Sequence, residues 1–440
     1  MTMKKITFLI ITMLLPLIAM ADAVEIDGIY YNLIAKENVA EVTQKPSKYS
    51  GNVTIPSSIS YGGVDYSVMA IGNNSFFECT NLKSVTIPNS VTTIGSKAFY
   101  KCEALTSVTI SNNLKFIADW AFYGCSVLTS ITIPKSTTYI GSAAFMYCNG
   151  LTTITIPNSV TGIEDNAFSY CNLSEIIVEE GGIYDSRNNC NAIISKSFDK
   201  LIVGCKNTTI PNSVTTIGHH AFAGCSGLTS ITIPNSVTSI EEFAFFCSGL
   251  TSITIPSSVT TMGYAAISGC KALTSVTIPS SVTTIKGSTF YGCTGLTSII
   301  IPDGVTRIED EAFEACSSLT SVTIPNSMWS IGVAAFDRCD ALTDIYCYAE
   351  EIPSLGNNSF NNPNDILHVP AVSLDAYKSS WSYLFKEIVA LTDSDPKPTG
   401  IKELKCDSHS DGLYFDLQGR QMSMPHKGVN IVNGKKILVK

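Results

Sequence analysis

Leu228-Thr229-Ser230-Ile231-Thr232-Ile233-Pro234 is a phrase that the chain writes repeatedly, with small changes. It returns at Leu82 to Pro88, Leu151 to Pro157, Leu250 to Pro256, Leu273 to Pro279, Leu296 to Pro302 and Leu319 to Pro325. The proline position runs 56, 88, 111 (a serine), 134, 157, 179 (a glutamate), 211, 234, 256, 279, 302 and 325. Most steps are 23 residues and two are 22, while Pro56 to Pro88 and Glu179 to Pro211 are 32. Those two turns each carry nine extra residues. A second phrase follows the first at a fixed distance: Val214-Thr215-Thr216-Ile217-Gly218, two variable residues, then Ala221-Phe222, two more, and Cys225. Its phenylalanine recurs at 76, 99, 122, 145, 168, 222, 245, 290, 313 and 336, with Ile267 in one place. Its cysteine recurs at 79, 102, 125, 148, 171, 225, 247, 270, 293, 316 and 339.

A period in the twenties carrying Leu-x-x-Ile-x-Ile is a leucine-rich-repeat pattern. It predicts a mainly β chain: a leucine-rich-repeat solenoid of about thirteen turns with capping regions and a small C-terminal β module. Each turn can bury its apolar positions only against its neighbours, so the expected core is one continuous column. Leu228, Ile231 and Ile233 suit the inward positions of a short strand. Proline closes that strand because it has no N–H for the ladder. Val237 to Ile240 should form a second extended segment on the opposite wall, and Ala-Phe-x-x-Cys should turn the chain back. At one strand spacing of ~4.8 Å per turn, the solenoid would be on the order of 60 Å long.

The phrase Ile210-Pro211-Asn212-Ser213-Val214-Thr215-Thr216-Ile217-Gly218 with its Ala-Phe-x-x-Cys resembles the BspA-like leucine-rich repeats of secreted bacterial surface proteins. The resemblance covers roughly residues 50–345. The opening Glu25-Ile26-Asp27-Gly28-Ile29-Tyr30-Tyr31 and the irregular stretch from Tyr184 to Ile194 are similar to the same proteins. The resemblance implies a curved solenoid, extracellular exposure, and adhesion to host matrix proteins or other cells.

Residues 1–23 have the layout of a secretory signal peptide: Lys4 and Lys5, an apolar run from Ile6 to Met20, and small residues around Ala19, Ala21 and Ala23. The run contains Pro16 and is shorter than the ~20 apolar residues of a membrane span. No later stretch is apolar enough to cross, so no transmembrane segment is expected in the mature chain. Residues 24–55 read as an N-terminal cap, 56–347 as the solenoid and 348–392 as a C-terminal cap. Leu367 to Pro370 suggests a strand there, and Tyr377, Trp381, Tyr383 and Phe385 a short aromatic helix, packed as a cap or stacking on a ligand. Residues 393–405 read as linker. Residues 406–440 read as a β tail with an Asn433-Gly434 hairpin signal. The tail resembles the C-terminal sorting modules of the type IX export route; a plain hairpin is the alternative.

Composition narrows the function. The 440 residues are 45% hydrophobic and 15% charged, with a net charge of −9. Scarce charge and abundant apolar residues are the reverse of a disordered chain. An acidic balance argues against nucleic acid, whose binding rests on phosphate neutralisation. No HExxH, nucleophile elbow, phosphate loop or dinucleotide fingerprint occurs, so no enzyme, cofactor or metal is expected. His219-His220 and the acidic clusters at Glu164-Asp165, Glu241-Glu242 and Glu309 to Glu314 fall at variable turn positions, which points to a solvated face. The repeat cysteines should stack in a file with nearly parallel Cβ vectors, which disfavours bridging, so buried free thiols are expected. Cys190 and Cys205, inside one irregular turn, are the best-placed pair for a disulfide.

The expected partner is a protein or glycan on host or microbial surfaces; glycan capture for nutrient uptake and a structural surface-layer role are the rivals. The outward pairs of the main strands, including Ser230/Thr232, Ser252/Thr254 and Ser275/Thr277, form a polar uncharged face. A specific ligand should read its breaks: Tyr184, Asp185 and Arg187 in the irregular turn, Ile300 in place of a threonine, and Asp344 with Tyr346 at the end of the row. Exposed Tyr and Arg are enriched at contact hot spots. On the export reading, N-terminal sequencing of the secreted protein should begin at Asp22 or Val24; an intact Met1–Met20 on that protein would contradict it.

Overall fold

The computed structural model describes residues 23–362 and 364–398, and the backbone of four short strands between 414 and 439. The signal-peptide stretch and the part of the linker beyond 398 lie outside the described residues. The chain winds as a β-solenoid of about fourteen turns, and among the described residues one α-helix occurs, at Leu374–Trp381. Two walls carry parallel ladders. The first wall holds the Leu-x-x-Ile-x-Ile strands, such as Ser252–Thr254 against Ser275–Thr277. The second holds two-residue strands such as Thr93–Ile94, Phe116–Ile117 and Tyr139–Ile140.

The second wall is the more continuous one. Its ladders run over nine, six and four strands, while those of the first wall run over three, two, two and five. Residues 228–233 were expected as a strand, yet they follow their neighbours without ladder pairing. Their alternation of inward Leu228 and Ile233 with outward Ser230 and Thr232 is nevertheless kept.

The corner between the walls supplies a third set of bonds. In most turns the Phe N–H donates to the Ala carbonyl of the next: Phe76 to Ala98, Phe99 to Ala121, Phe122 to Ala144, Phe290 to Ala312, Phe313 to Ala335, all at 2.7–2.8 Å, while Phe336 donates to Ser359 and Ile267 to Thr289. This spacing stacks the rings. Phe76, Phe99, Phe122, Phe145 and Phe168 lie 4.8–5.4 Å apart in near-parallel planes. Phe290, Phe313, Phe336 and Phe360 repeat the column at 5.1 Å. Offset stacking of this kind adds ~0.5–1.5 kcal/mol per pair beyond burial.

The core is not one column. Residues from Ile29 to Ile176 form one buried cluster and residues from Ala192 to Ile388 another. They meet at the irregular turn, where a hairpin of Ala192–Ser195 and Lys200–Gly204 enters the interior. All four residues 192–195 are buried. Ile193 and Val203 pack with the N-terminal cluster, while Ile194 and Leu201 pack with the C-terminal one. The turn has no phenylalanine at its corner. Gly204 stands there and donates to Ala221, and a Cβ on it would lie 2.1 Å from Phe222. The ring of Phe222 therefore lies over Gly204, and the stack restarts with Phe245. The other nine-residue excess forms the hairpin Ser58–Tyr61 with Val64–Ile71 near the N-terminal end.

The repeat also outlasts residue 347. Ser354–Leu355 pairs with Ser330–Ile331, and Ile366–Val369 and Glu387–Ala390 extend the first wall. The helix then closes the end. Tyr377, Trp381 and Phe385 are buried in the core, and the Tyr377 hydroxyl donates to the Ala349 carbonyl at 2.9 Å, so these rings are packing residues; Tyr383 is exposed. In the tail, Gly428–Val432 and Lys435–Val439 pair antiparallel, with Val432 opposite Lys435.

Phe313 touches a ring on either side and is fully buried. Phe313→Ala should cost ~3–5 kcal/mol, as buried aromatic truncations do. Because turns couple to their neighbours, protection from hydrogen exchange should fall first at 285–340 and leave 60–160 unchanged. A uniform loss across the chain would count against nearest-neighbour coupling.

Candidate binding surface

The hydroxyls of the solenoid divide into two populations. Threonines at the start of each strand spend their hydroxyl on the preceding turn: Thr274 Oγ1 donates to the Thr251 carbonyl at 3.1 Å, Thr320 to Thr297 at 2.9 Å and Thr138 to Lys115 at 3.3 Å. Those bonds are part of the scaffold. The outward pairs Ser252/Thr254 and Ser275/Thr277 sit in register across the ladder and are exposed. Ser230 and Thr232 are exposed beside them. Among the described residues none of these six hydroxyls bonds to another side chain or carbonyl. They form a file of free donors and acceptors on a flat polar surface.

The breaks in the file behave differently. Ile300 is exposed, in register with the buried Thr323 and then Tyr346. Asp344 and Tyr346 are half-buried: His368 Nε2 lies 3.0 Å from Asp344 Oδ1, and its ring stacks on Tyr346 at 4.5 Å. Nearby, Asp365 is buried and its two carboxyl oxygens have no hydrogen-bond partner among the described residues; burial and then the neighbouring Asp344 push its carboxyl up to about 7.

Tyr184 is not the exposed contact residue its sequence position suggested. It is buried with the N-terminal cluster, and burial raises its phenol. The hairpin turns its ring inward because Tyr184 pairs with Ser195 in an antiparallel ladder whose inner face is core. Arg187 is likewise occupied. Its Nε bonds Asp185 at 3.0 Å and its Nη1 bonds Asp199 at 2.6 Å and Ser213 at 3.2 Å. The four residues staple the irregular turn.

That turn opens a groove of about 760 Å³ beside Glu175–Val178. Glu175, Ile177, Glu179 and Glu180 line one side, Asp185, Arg187, Asn188 and Lys196 the other. Ile177 is 45% exposed. Sequence reading passed over Glu175 and Ile177, although both stand where other turns carry Ser and Thr.

Among the described residues no three His, Cys, Asp or Glu side chains gather as a metal site. His219 contacts Glu241, which also accepts from Lys200 and from the His219 N–H. His220 stacks on Phe243, and burial lowers its imidazole. The acidic turn residues are more than solvated charge. Asp119 Oδ1 accepts from the Ser142 N–H, Glu309 Oε2 from Gly287 and Asp310 Oδ1 from Val333, so each ties down the backbone of an adjacent turn.

The fourteen described cysteines are free. Cys190 Sγ faces Ser186 at 3.6 Å and Cys205 Sγ donates to Asn191, so the two point to different partners. Eight of the repeat thiols donate to a carbonyl one turn back, from Cys102 to Phe76 at 3.0 Å to Cys293 to Ile267 at 3.4 Å. They are donors as well as small apolar fillers. Burial pushes Cys270 up to about 11 and Cys171 and Cys225 to about 12, so these three thiols stay protonated at neutral pH.

Comparison with known proteins agrees with this architecture. The model of the BspA type leucine rich repeat region matches in six copies, over residues 69–190, 191–296 and 283–392. The chain belongs to the BspA-type leucine-rich-repeat family. A leucine rich cell surface protein from Faecalibacterium prausnitzii is 31% identical, over 74% of this chain and 95% of that one, with a TM-score of 0.50. A leucine-rich repeat protein from Eubacterium ventriosum is 26% identical, over 77% and 95%, with a TM-score of 0.61. The pneumococcal vaccine antigen PcpA shares the fold at 20% identity, over 84% and 99%, with a TM-score of 0.62. A search of the curated proteins finds no match. No helix among the described residues of this BspA-type chain is long and apolar enough to cross a membrane.

The thiols give this scaffold an alkaline limit. Unfolded cysteines ionise near 9, while these stay protonated to about 11 or 12. Their contribution to stability is complete below pH 9 and is lost as pH rises toward the folded values, at ~1.36 kcal/mol per pH unit for each such thiol. The melting temperature should drop steeply from pH 9 to 11, less so in a Cys171→Ala/Cys225→Ala/Cys270→Ala variant. Identical alkaline profiles would refute the assignment.

Proposed function

We propose that this BspA-type chain is an exported cell-surface protein that binds proteins or glycans of host or microbial surfaces through the outer face of its solenoid. One observation carries the reading. The scaffold's own bonds use the threonines at the strand starts, whereas the exposed pairs Ser252/Thr254 and Ser275/Thr277, in register on the first wall, are left unengaged. A surface of free hydroxyls needs no titration or cofactor to bind, and it repeats along the solenoid, so it suits an extended ligand. The cell-surface description of the F. prausnitzii relative supports the location. The export-signal layout of residues 1–23 supports delivery across the membrane, and the β tail at 406–440 is assigned to sorting or anchoring at the surface.

Uniform hydroxyls give adhesion but little selectivity. We assign selectivity to the breaks: the irregular turn with Asp185 and Arg187, Ile300, and the Asp344–Tyr346 end. Cutting nine residues from within 180–205, which brings the step from Glu179 to Pro211 to the ordinary 23, tests the largest of these. If circular dichroism shows an intact β fold, attachment to immobilised matrix proteins, glycan arrays and whole cells should fall at least tenfold on the surfaces the intact chain selects. Undiminished attachment would return the binding site to the Ser/Thr file alone.

A further inference from the structure

The strand Glu175–Val178 has one paired edge and one that is mostly bare. Its partner is Thr153–Ile156, and the two form a two-strand ladder. Glu175 N–H bonds the Thr152 carbonyl and Glu179 N–H the Ile156 carbonyl, so the odd-numbered backbone groups face the previous turn. In a parallel ladder the alternate groups face the other way. These are the N–H and C=O of Ile176 and Val178.

In an ordinary turn the next strand would take them. Here Cys190 and Asn191 stand in its place at one end. Asn191 Oδ1 accepts the Ile176 N–H at 3.4 Å, and the Cys190 carbonyl accepts from Thr209, so these two residues separate strand 175–178 from the following turn. The chain before them, the short 3-10 turn Arg187–Asn189, then leads away. It leaves the groove beside 177–180. Among the described residues the Ile176 carbonyl and both backbone groups of Val178 have no hydrogen-bond partner.

Side chains define what fits. Glu175 and Ile177 lie on the outer face, alternating with the buried Ile176. Glu179 is paired with Lys135 and Asp185 with Arg187, which also holds Asp199. Lys196 is tied to the Gly182 carbonyl. Glu175 and Glu180 have no cation among the described residues. The bare edge is thus an apolar position between two unpaired carboxylates.

We propose that this edge takes an extended segment of a partner polypeptide as an added strand, one whose outward residues alternate apolar and basic. Main-chain bonds to Ile176 and Val178 hold the strand, Ile177 packs against its apolar residue, and Glu175 and Glu180 pair with its flanking Lys or Arg. The proposal rests on the reading of the solenoid as a binding scaffold and names a partner class for its largest break.

The test uses the whole secreted chain and a fluorescein-labelled peptide, Ser-Lys-Ser-Val-Ser-Lys-Ser, whose Lys, Val and Lys share one face of an extended strand, followed by fluorescence anisotropy at physiological salt. Saturable binding is expected. It should weaken at least tenfold when alternate peptide nitrogens are methylated, which blocks the ladder and keeps the charge. It should weaken similarly in Glu175→Lys/Glu180→Lys, whose exposed positions leave the fold intact by circular dichroism, and in Ile177→Lys. Equal binding of the methylated peptide would show attraction by charge alone and overturn strand addition. Equal binding by the variants would place the contact elsewhere and overturn it too. A chain that attaches to surfaces but binds no peptide refutes this proposal and keeps the scaffold reading, whereas loss of both refutes both.

Discussion

Every turn of this solenoid ends on amide and carbonyl groups that only the neighbouring turn can satisfy. The bond from the corner N–H, usually that of Phe, to the next turn's carbonyl, usually that of Ala, meets that requirement, and the rest of the repeat is arranged around it. It fixes the pitch, and the pitch sets the ring spacing near 5 Å. The thiol beside it completes the same corner by donating to the Phe carbonyl of the turn before. Threonine hydroxyls and turn carboxylates do the same at other points of the circuit. The side chains left over from this task are the outward Ser/Thr pairs, which is why the binding surface can be located by elimination.

The corner has a conformational cost that the sequence does not advertise. The residue before each Ala is left-handed, with φ of 51–56° at Lys97, Trp120, Ala143, Asn166, His220 and Phe243. The residue before Cys is left-handed as well, at Lys101, Tyr147, Tyr170 and Ala315, with glycine at 124, 224, 269 and 292. Such a conformation costs an ordinary residue ~1 kcal/mol, and these positions hold it because both flanking residues are buried and bonded. The freedom left is in the side chain, and that is where the repeats differ most.

The repeat itself was plain in the sequence, because Leu-x-x-Ile-x-Ile and Ala-Phe-x-x-Cys recur at fixed spacing and each position has one burial fate. Phe360 was missed since Ser354 to Phe360 keeps the second phrase after the first has lapsed. The division of the core was also missed. An insertion of nine residues reads as a surface bulge, but its strand Ala192–Ser195 opens with three apolar residues and is buried at all four positions. Tyr184 followed it inward, so the residue chosen for exposure became packing. The groove was signalled only by Glu175 and Ile177 departing from the Ser and Thr of other turns. A departure from a repeat can be drift, and only the displaced next strand shows that this one borders a bare edge.

The two-column core is the account's central claim, because it sets both the folding units and the place of the open edge. Hydrogen exchange of the intact chain in increasing denaturant tests it most directly. The account predicts that buried amides of 29–178 open together, that those of 210–390 open together at a different denaturant concentration, and that the hairpin 192–204 opens with the less stable group. A single opening isotherm shared by Phe99, Phe145, Phe245 and Phe313 would contradict it.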